Sequence, residues 1–177
     1  MDNNKNKVNY AISNVDIAMY LDNPNIVKYA DLANFDNIDS LFDGYSYVIL
    51  LIESGRNKGH WVSLLRYNNC IEQFDSYGGT IDNELKYISE KNKEKLGETD
   101  HFLTNLLKKS KYEIIVNEHK FQSESEGIDT CGKFVLLRIL MFLCADLRLP
   151  EFVEFVKKGA KKLKVNNDGF VCRLIMF

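Results

Sequence analysis

The segment GHWVSLLRYNNCIEQFDS, from Gly59 to Ser76, decides the fold because it predicts two strands joined by a tight turn. The strands are expected at Trp61 to Tyr67 and at Cys70 to Asp75, with Asn68 and Asn69 between them. Asparagine suits this turn, because it tolerates the positive φ angles that short hairpin loops require. The sequence therefore predicts an antiparallel hairpin with one histidine and one aspartate on its two strands.

The flanking sequence predicts further strands and a buried helix. Tyr45 to Ile52 is rich in β-branched and aromatic residues and lies between glycines, which favours a buried strand, and Tyr112 to Phe121 is expected to return as another. Cys131 to Leu147 is apolar on nearly every side, which predicts a core helix with Asp129 or Thr130 as its N-cap. Three other helices are expected: one that Ser13 or Asn14 caps and that runs to Leu21, one across Asn83 to Leu107 with a break near Gly97, and one from Pro150 to about Lys162. Residues 24–44 are expected to be looser. The segment from Phe170 to Phe177 could be strand or helix.

Length and composition indicate one compact domain. The chain has 177 residues, of which 45% are hydrophobic, and can bury a continuous core. We expect residues 1–12 to be a flexible N-terminus and residues 13–177 to form a single domain. The polar start resembles no secretory signal, and the most apolar run, Ile139 to Ala145, is too short to cross a bilayer. These features predict an intracellular protein without a membrane segment.

Cysteine spacing and charge limit the ligands that we expect. The four cysteines lack short metal-type spacing and are interpreted as free thiols, so we expect no metal and no cofactor. The formal net charge of −2 and the pI near 5.9 give no global attraction to a phosphate backbone. The lysines from Lys157 to Lys164 are mostly a solvated helix face, and nucleic-acid binding through them is the weaker alternative.

Four residues form a set suited to nucleophilic catalysis by a thiol. Cys131 opens the predicted core helix, where unpaired N–H groups and the helix dipole stabilise a thiolate. His60 would take up and return the thiol proton, and Asp75 would orient the imidazole. The Gln122 amide, together with the backbone N–H of Cys131, would stabilise an oxyanion.

Other readings of these residue types remain open. Asp75 followed by Ser-Tyr-Gly-Gly also suits a turn, and Trp61 also suits the core. Gln122 lies nine positions before Cys131, so a loop from Ser123 to Thr130 is expected between them. The alternative amide, Gln73, falls on the wrong strand. We read Cys70 and Cys144 as buried small hydrophobes, and His101 and His119 as structural or surface residues.

The order of these motifs resembles a known family. Gly59-His60-Trp61 on one strand, Asp75-Ser76 on the next, Gln122, and Cys131-Gly132 opening a buried helix are similar to the adenovirus-protease and Ulp-type cysteine peptidases of clan CE. The resemblance spans about residues 45–145 and is strongest to small maturation proteases of double-stranded DNA viruses and virophages. It implies a papain-like, adenain-like α+β fold, in which a central, mostly antiparallel sheet packs against the core helix.

The resemblance also implies a function. His60, Asp75 and Cys131 would be the catalytic triad and Gln122 the oxyanion donor, with Trp61 and Gly132 lining the site. The protein would be a viral cysteine endopeptidase that cleaves capsid or core precursors after small residues such as Gly. It would act in the host cytoplasm or the virus factory and be packaged in the virion. The alternatives are a ubiquitin- or SUMO-like isopeptidase, an acetyltransferase, for which the chain is short, and a catalytically silent binding module.

Overall fold

A computed structural model describes residues 7–55 and 58–177. These residues form a five-stranded sheet and seven α-helices, so the architecture is α+β, as predicted. The strands are β1 (Ile26–Lys28), β2 (Tyr47–Gly55), β3 (Lys58–Tyr67), β4 (Cys70–Phe74) and β5 (Glu113–Val116). The helices are α1 (Asn14–Ala18), α2 (Ile38–Phe42), α3 (Glu90–Leu96), α4 (Phe102–Lys108), α5 (Cys131–Ala145), α6 (Leu149–Leu163) and α7 (Asn167–Leu174), with 3-10 helices at Tyr29–Asn34 and Asn83–Tyr87.

The sheet has parallel and antiparallel pairs. Its strands follow chain order, β1-β2-β3-β4-β5. The pairs β2–β3 and β3–β4 are antiparallel, whereas β1–β2 and β4–β5 are parallel. The sheet is therefore mixed, and the mostly antiparallel arrangement that we predicted holds only for its three central strands. Helical connections separate β1 from β2 and β4 from β5, and connections of this length allow a chain to return in the same direction.

The β3–β4 hairpin forms where the sequence predicts it. Tyr67 pairs with Cys70, and Asn68 in the turn has φ 51°. Asparagine is one of the few residue types that adopt this left-handed conformation at low cost. On its other side β3 pairs with β2, which sets Ile52 opposite His60. His60 therefore lies on a central strand with neighbours on both sides.

The sheet belongs to one of two compact units, which comprises residues 24–75 and 79–117. A cluster of buried apolar side chains fills its core, including Phe42, Leu50, Leu64 and Leu106. Residues 24–44, which the sequence predicted to be loose, contain β1, the first 3-10 helix and α2. Tyr29, Leu32, Ile38 and Leu41 in these elements are at most 2% exposed, so burial orders a segment that lacks clear periodicity.

The region predicted as one broken helix, Asn83 to Leu107, is more divided than expected. It contains a 3-10 helix, α3 and α4. α3 ends at Gly97, whose φ of 78° continues no right-handed helix, and this is the break that the sequence predicted. The side chain of Ser89 caps α3, and the Asp82 carboxylate accepts the backbone N–H of Thr104 at the start of α4.

The second compact unit comprises residues up to 23, 76–78 and 118–177, and it contains α1, α5, α6 and α7. Residues Cys131 to Ile139 of α5 are all buried, which confirms the predicted core helix. Burial includes Arg138, whose Nη1 donates to the carbonyl of Leu147 at 3.0 Å and whose guanidinium lies 5.2 Å from the ring centroid of Phe152. A buried charge is tolerated when it is hydrogen-bonded in this way.

The last turn of α5 is exposed. Leu143 is 46% exposed and Cys144 is exposed, so our reading of Cys144 as a buried hydrophobe is wrong. At ~1.5 Å per residue, α5 is about 22 Å long, and its C-terminal turn extends beyond the core. Cys70 is also only half-buried.

Part of the predicted flexible N-terminus makes specific contacts. Residues 1–6 of this segment lie outside the described residues. Within residues 7–12, the carbonyl of Val8 accepts the N–H of Asp129 at 2.7 Å, and the carbonyl of Lys7 accepts the Lys133 Nζ at 3.0 Å. These hydrogen bonds tie Lys7 and Val8 to residues at and just before the start of α5.

The domain organisation is described by the two units. The single domain expected over residues 13–177 stays a prediction. Within residues 7–55 and 58–177, no helix combines the length and apolar character that a bilayer crossing requires.

Candidate active site

His60 and Asp75 form a buried pair. The His60 Nε2 lies 2.9 Å from the Asp75 Oδ1, and the two residues are 9% and 1% exposed. A carboxylate only accepts hydrogen bonds, so this contact places the imidazole proton on Nε2. In the neutral ring, Nδ1 is then the basic nitrogen. Asp75 thus fixes the tautomer, as a carboxylate that orients a general base must do.

The hairpin register brings these two side chains together. β3 pairs Ser63 with Phe74, and one further step sets Asp75 opposite Val62. His60 and Val62 point to the same face of β3, because side chains alternate along a strand. Asp75 is therefore the diagonal neighbour of His60, a separation that long side chains bridge.

Asn117 anchors Asp75, and sequence reasoning missed it. Its Nδ2 donates to the backbone carbonyl of Asp75 at 2.6 Å, and its backbone N–H donates to the carbonyl of Gln73 at 2.9 Å. The residue is fully buried and follows β5 directly. The parallel pairing of β5 with β4 brings it there, and a pairing between distant segments leaves no local signal in the sequence.

Glu84 is a second residue that the sequence analysis missed. It is half-buried in the 3-10 helix Asn83–Tyr87. One of its carboxylate oxygens, one ring nitrogen of His60 and one carboxylate oxygen of Asp75 all lie within 4.8 Å of one another. The His60–Asp75 pair therefore has a second carboxylate close to it.

Cys131 and Gly132 belong to the other compact unit, and both are buried. Cys131 is the first residue of α5 and is 9% exposed. Thr130 is the N-cap, as predicted, but its side chain does not cap the helix. It donates instead to the Asp168 Oδ1 at 2.6 Å. The first turn of α5 therefore presents backbone N–H groups that the Thr130 hydroxyl does not satisfy.

Gln122 is held by three partners. Its Oε1 accepts the Ser76 hydroxyl at 2.8 Å, while its Nε2 donates to the Ile128 carbonyl at 3.0 Å and to the Tyr77 hydroxyl at 3.3 Å. The carbonyl of Ile128 only accepts, which fixes the orientation of the amide. Gln122 is 2% exposed, so its side chain is positioned firmly.

The segment that contains Gln122 differs from the prediction. The strand expected to end at Phe121 ends at Val116. The backbone N–H groups of Phe121 and Gln122 both donate to the carbonyl of Ser76, at 2.9 and 3.0 Å. Ser76 is fully buried, and it holds the main chain and the side chain of Gln122. The Asp75-Ser76 motif, which we had used only to identify Asp75, therefore also contains Ser76, the residue that holds Gln122.

Asp168 of α7 ties both ends of the loop from Ser123 to Thr130. Its Oδ2 accepts the backbone N–H of Ser123 at 3.2 Å, and its Oδ1 accepts the hydroxyl of Thr130 at 2.6 Å. Asp168 is 2% exposed. The loop from Ser123 to Thr130 is therefore closed by one buried carboxylate. Gln122 directly precedes this loop in the chain, and Cys131 directly follows it.

The remaining candidates are less specific. Gln73 lies within β4 and is 2% exposed, and its Oε1 has no hydrogen-bond partner among the described residues. Trp61 is 7% exposed and follows His60 on β3, so its side chain points to the opposite face of the sheet. The catalytic roles of His60, Asp75, Cys131 and Gln122, and the site-lining roles of Trp61 and Gly132, stay predictions.

Comparisons with known proteins give a relative in sequence and a distant likeness among solved structures. The chain is 39% identical over 163 residues to "Uncharacterized protein V9" of Sputnik virophage, covering 91% of each protein. No protein-family model matches the chain. Among solved structures, the C-terminal Ulp1 protease domain in complex with SMT3, the yeast ortholog of SUMO, is similar at 15% identity and a TM-score of 0.43; the likeness covers 97% of this chain and 79% of that one.

Proposed function

The chain belongs to the same family as protein V9 of Sputnik virophage, and we propose that it is a cysteine endopeptidase that processes virion precursor proteins. One observation carries the proposal: the buried Asp75 carboxylate holds the His60 imidazole in a single tautomer. The Asp75 Oδ1 lies 2.9 Å from the His60 Nε2. This arrangement suits a general base whose Nδ1 accepts a proton. A buried thiol at the first position of a helix supplies the proposed nucleophile.

In the proposed reaction, the His60 Nδ1 takes the proton of Cys131 as the sulfur attacks the scissile carbonyl carbon. The carbonyl π bond opens, and the oxygen becomes an oxyanion. When the carbonyl re-forms, the C–N bond breaks, and the imidazolium gives its proton to the leaving amine. A thioester to Cys131 remains. His60 then deprotonates a water molecule, whose oxygen attacks the thioester carbon. The C–S bond breaks, the acid is released, and the imidazolium returns its proton to the sulfur of Cys131.

The Gln122 amide and the backbone N–H of Cys131 are the proposed oxyanion donors. One hydrogen on the Gln122 Nε2 is used by the Ile128 carbonyl at 3.0 Å, which orients the amide. The second points to the Tyr77 hydroxyl at the longer distance of 3.3 Å. A charged oxygen is a stronger acceptor than a hydroxyl, so the developing oxyanion would replace Tyr77 as the partner of this hydrogen.

The proposed substrates are capsid or core precursors, cleaved after small residues such as Gly. Membership in a family with a virophage protein supports a viral role, and the small residue follows from the resemblance described above. Processing would occur in the host cytoplasm or virus factory, with the enzyme packaged into the virion. Isopeptide bonds to ubiquitin-like proteins, which also end in Gly, are the second substrate class to test.

A thiol-labelling experiment tests the nucleophile, with Cys144 as a matched control on the same helix. Cys131 is 9% exposed at the start of α5, whereas Cys144 is exposed near its end. Exposure alone would make Cys144 react first. At pH 6, where an ordinary thiol with a pKa of about 8.5 is mostly protonated, iodoacetamide should instead label Cys131 faster, as mass spectrometry of the peptides would reveal. Faster labelling of Cys144 would refute the proposal.

A cleavage experiment tests the substrate. Virion precursor proteins from a virophage, and separately ubiquitin- and SUMO-type conjugates, would be incubated with the protein and with its Cys131→Ala variant. We expect cleavage of precursors after Gly by the unchanged protein alone. Cleavage of the conjugates alone would favour the isopeptidase. Cleavage of neither, with no preferential labelling of Cys131, would indicate a silent binding module.

A further inference from the structure

Three potential metal ligands from distant positions meet in the unit that contains the sheet. They are the imidazole of His60 on β3, the carboxylate of Asp75 after β4, and the carboxylate of Glu84 in the 3-10 helix Asn83–Tyr87. One ligand atom from each lies within 4.8 Å of the other two. Their spacing in the chain matches no short metal-binding motif, which is why the sequence predicts no metal there.

We propose that His60, Asp75 and Glu84 bind a divalent zinc ion. One imidazole nitrogen and two carboxylate oxygens are ligands that zinc accepts, at about 2.0–2.2 Å each. Three protein ligands leave a coordination position for water, as in open zinc sites. Magnesium and calcium prefer oxygen ligands alone, so the imidazole selects against them.

The observed spacing is close to that of a bound site. Around a tetrahedral ion at this distance, ligand atoms lie roughly 3.3–3.6 Å apart. The His60–Asp75 distance of 2.9 Å is already shorter, and a pair at the upper limit of 4.8 Å would have to approach by about 1.2–1.5 Å. Glu84 is half-buried, unlike its two partners, and is the residue best able to make this movement.

Charge also favours a cation. A carboxylate is an anionic ligand when it binds a metal, and one oxygen each of Asp75 and Glu84 lies within 4.8 Å of the other and of a His60 ring nitrogen. The attraction between a carboxylate and a divalent cation is stronger away from water, and His60 and Asp75 are at most 9% exposed.

This inference rests on the proposed function for its consequence. Zinc bound to the imidazole would occupy the ring that must accept the Cys131 proton, so the ion would inhibit the peptidase. Glu84 would make the enzyme sensitive to zinc without being part of the catalytic step. The thiol itself would not be a ligand, and this separates the proposed site from ordinary capture of zinc by a cysteine.

Direct binding tests the site in protein that lacks the catalytic thiol. Zinc titrations by calorimetry would use Cys131→Ala/Cys144→Ala protein, which removes the proposed nucleophile and the exposed thiol. We expect one zinc ion per chain, and at least ~10-fold weaker binding after Glu84→Gln or Glu84→Asp. Glu90→Gln is the matched control, since Glu90 is an exposed glutamate in the same region, and it should bind zinc as before. Circular dichroism would verify that each variant is folded.

Cobalt substitution identifies the ligands. Cobalt(II) bound to the same protein should show ligand-field bands without a thiolate-to-metal charge-transfer band. Undiminished zinc binding by Glu84→Gln, or a thiolate band that marks a remaining cysteine as the ligand, would overturn the inference.

Activity measurements separate this inference from the proposed function. Zinc inhibition would be expressed relative to the zinc-free rate of each variant, and Glu84→Gln should need at least ~10-fold more zinc for half-inhibition. If the Glu84→Gln variant and the unsubstituted protein are equally sensitive to zinc, the zinc site is refuted and the proposed peptidase function is unaffected. Glu84-dependent zinc binding in a protein without peptidase activity would support the site and refute the proposed function.

Discussion

Glu98→Gln should change how the stability of the protein depends on pH. Glu98 follows α3 and is 1% exposed. Its Oε1 accepts the backbone N–H of Glu53 at 2.8 Å, and its buried Oε2 has no hydrogen-bond partner among the described residues. Burial raises the pKa of this carboxyl from the ordinary 4.5 to about 7; the hydrogen bond from Glu53 lowers it and the charge of Glu53 raises it further.

The sign and size of the effect follow from this shift. Because the folded state holds the Glu98 proton more tightly than the unfolded state, unfolding releases protons, and the free energy of unfolding falls as pH rises from 4.5 to about 7. A shift of this size corresponds to a loss of roughly 2–3 kcal/mol between pH 5 and 8. Glutamine keeps the acceptor oxygen but cannot ionise, so Glu98→Gln should lack this loss.

Urea unfolding at pH 5, 6, 7 and 8 would measure the difference. Trp61, the single tryptophan, is 7% exposed in the same compact unit as Glu98 and reports its unfolding by fluorescence. The variant should gain roughly 2–3 kcal/mol relative to the unchanged protein between pH 5 and pH 8. Glu90→Gln, at a carboxylate 84% exposed, should leave the pH dependence unchanged. A Glu98→Gln difference that stays constant across this range would refute the reasoning.

Four further predictions concern the proposed site. Cys131→Ala should abolish peptide cleavage and leave the unfolding midpoint nearly unchanged, whereas Cys144→Ala, at an exposed position, should retain both; equal loss of activity in the two variants would contradict the assignment. Asp75→Asn should reduce kcat less than Cys131→Ala, because the imidazole remains and only its tautomer changes; equal losses in single-turnover assays would argue against an orienting role. Gln122→Ala should lower kcat by roughly 10²–10³ with little change in KM, and a near-normal kcat would place the oxyanion donor elsewhere. Asp168→Asn should lower the free energy of unfolding by about 1–3 kcal/mol, measured in urea, because one of two acceptors is replaced by a donor; unchanged stability would show that the loop does not depend on it.

Local signals made the hairpin and the core helix predictable. Asn68 marks a turn by its own conformational preference, and the apolar run from Cys131 identifies a helix that is buried on all sides. Both signals depend only on residues that are close in the sequence, and the folded structure keeps the local conformation that each one predicts. The pairing of His60 with Asp75 then followed, because hairpin register fixes which side chains are neighbours.

Long-range pairing hid the rest. The parallel edge strands β1 and β5 depend on contacts between distant segments, so no local pattern predicted a mixed sheet or the hydrogen bond from Asn117 to Asp75. Glu84 approaches His60 through the fold and not through spacing. The exposure of Cys144 was missed because an apolar helix does not reveal where the elements that cover it end.

The contact between Asp168 and the loop ends has a consequence for biosynthesis. Ser123 and Thr130 precede Asp168 in the chain, by 45 and 38 residues. A ribosome adding about 5–20 residues per second reaches Asp168 roughly 2–8 s after Thr130. Until then, the loop between Gln122 and Cys131 lacks the carboxylate that closes it. A nascent chain therefore carries the thiol before it can fix the loop beside it, so the proposed cleavage of other proteins would begin only after α7 has emerged.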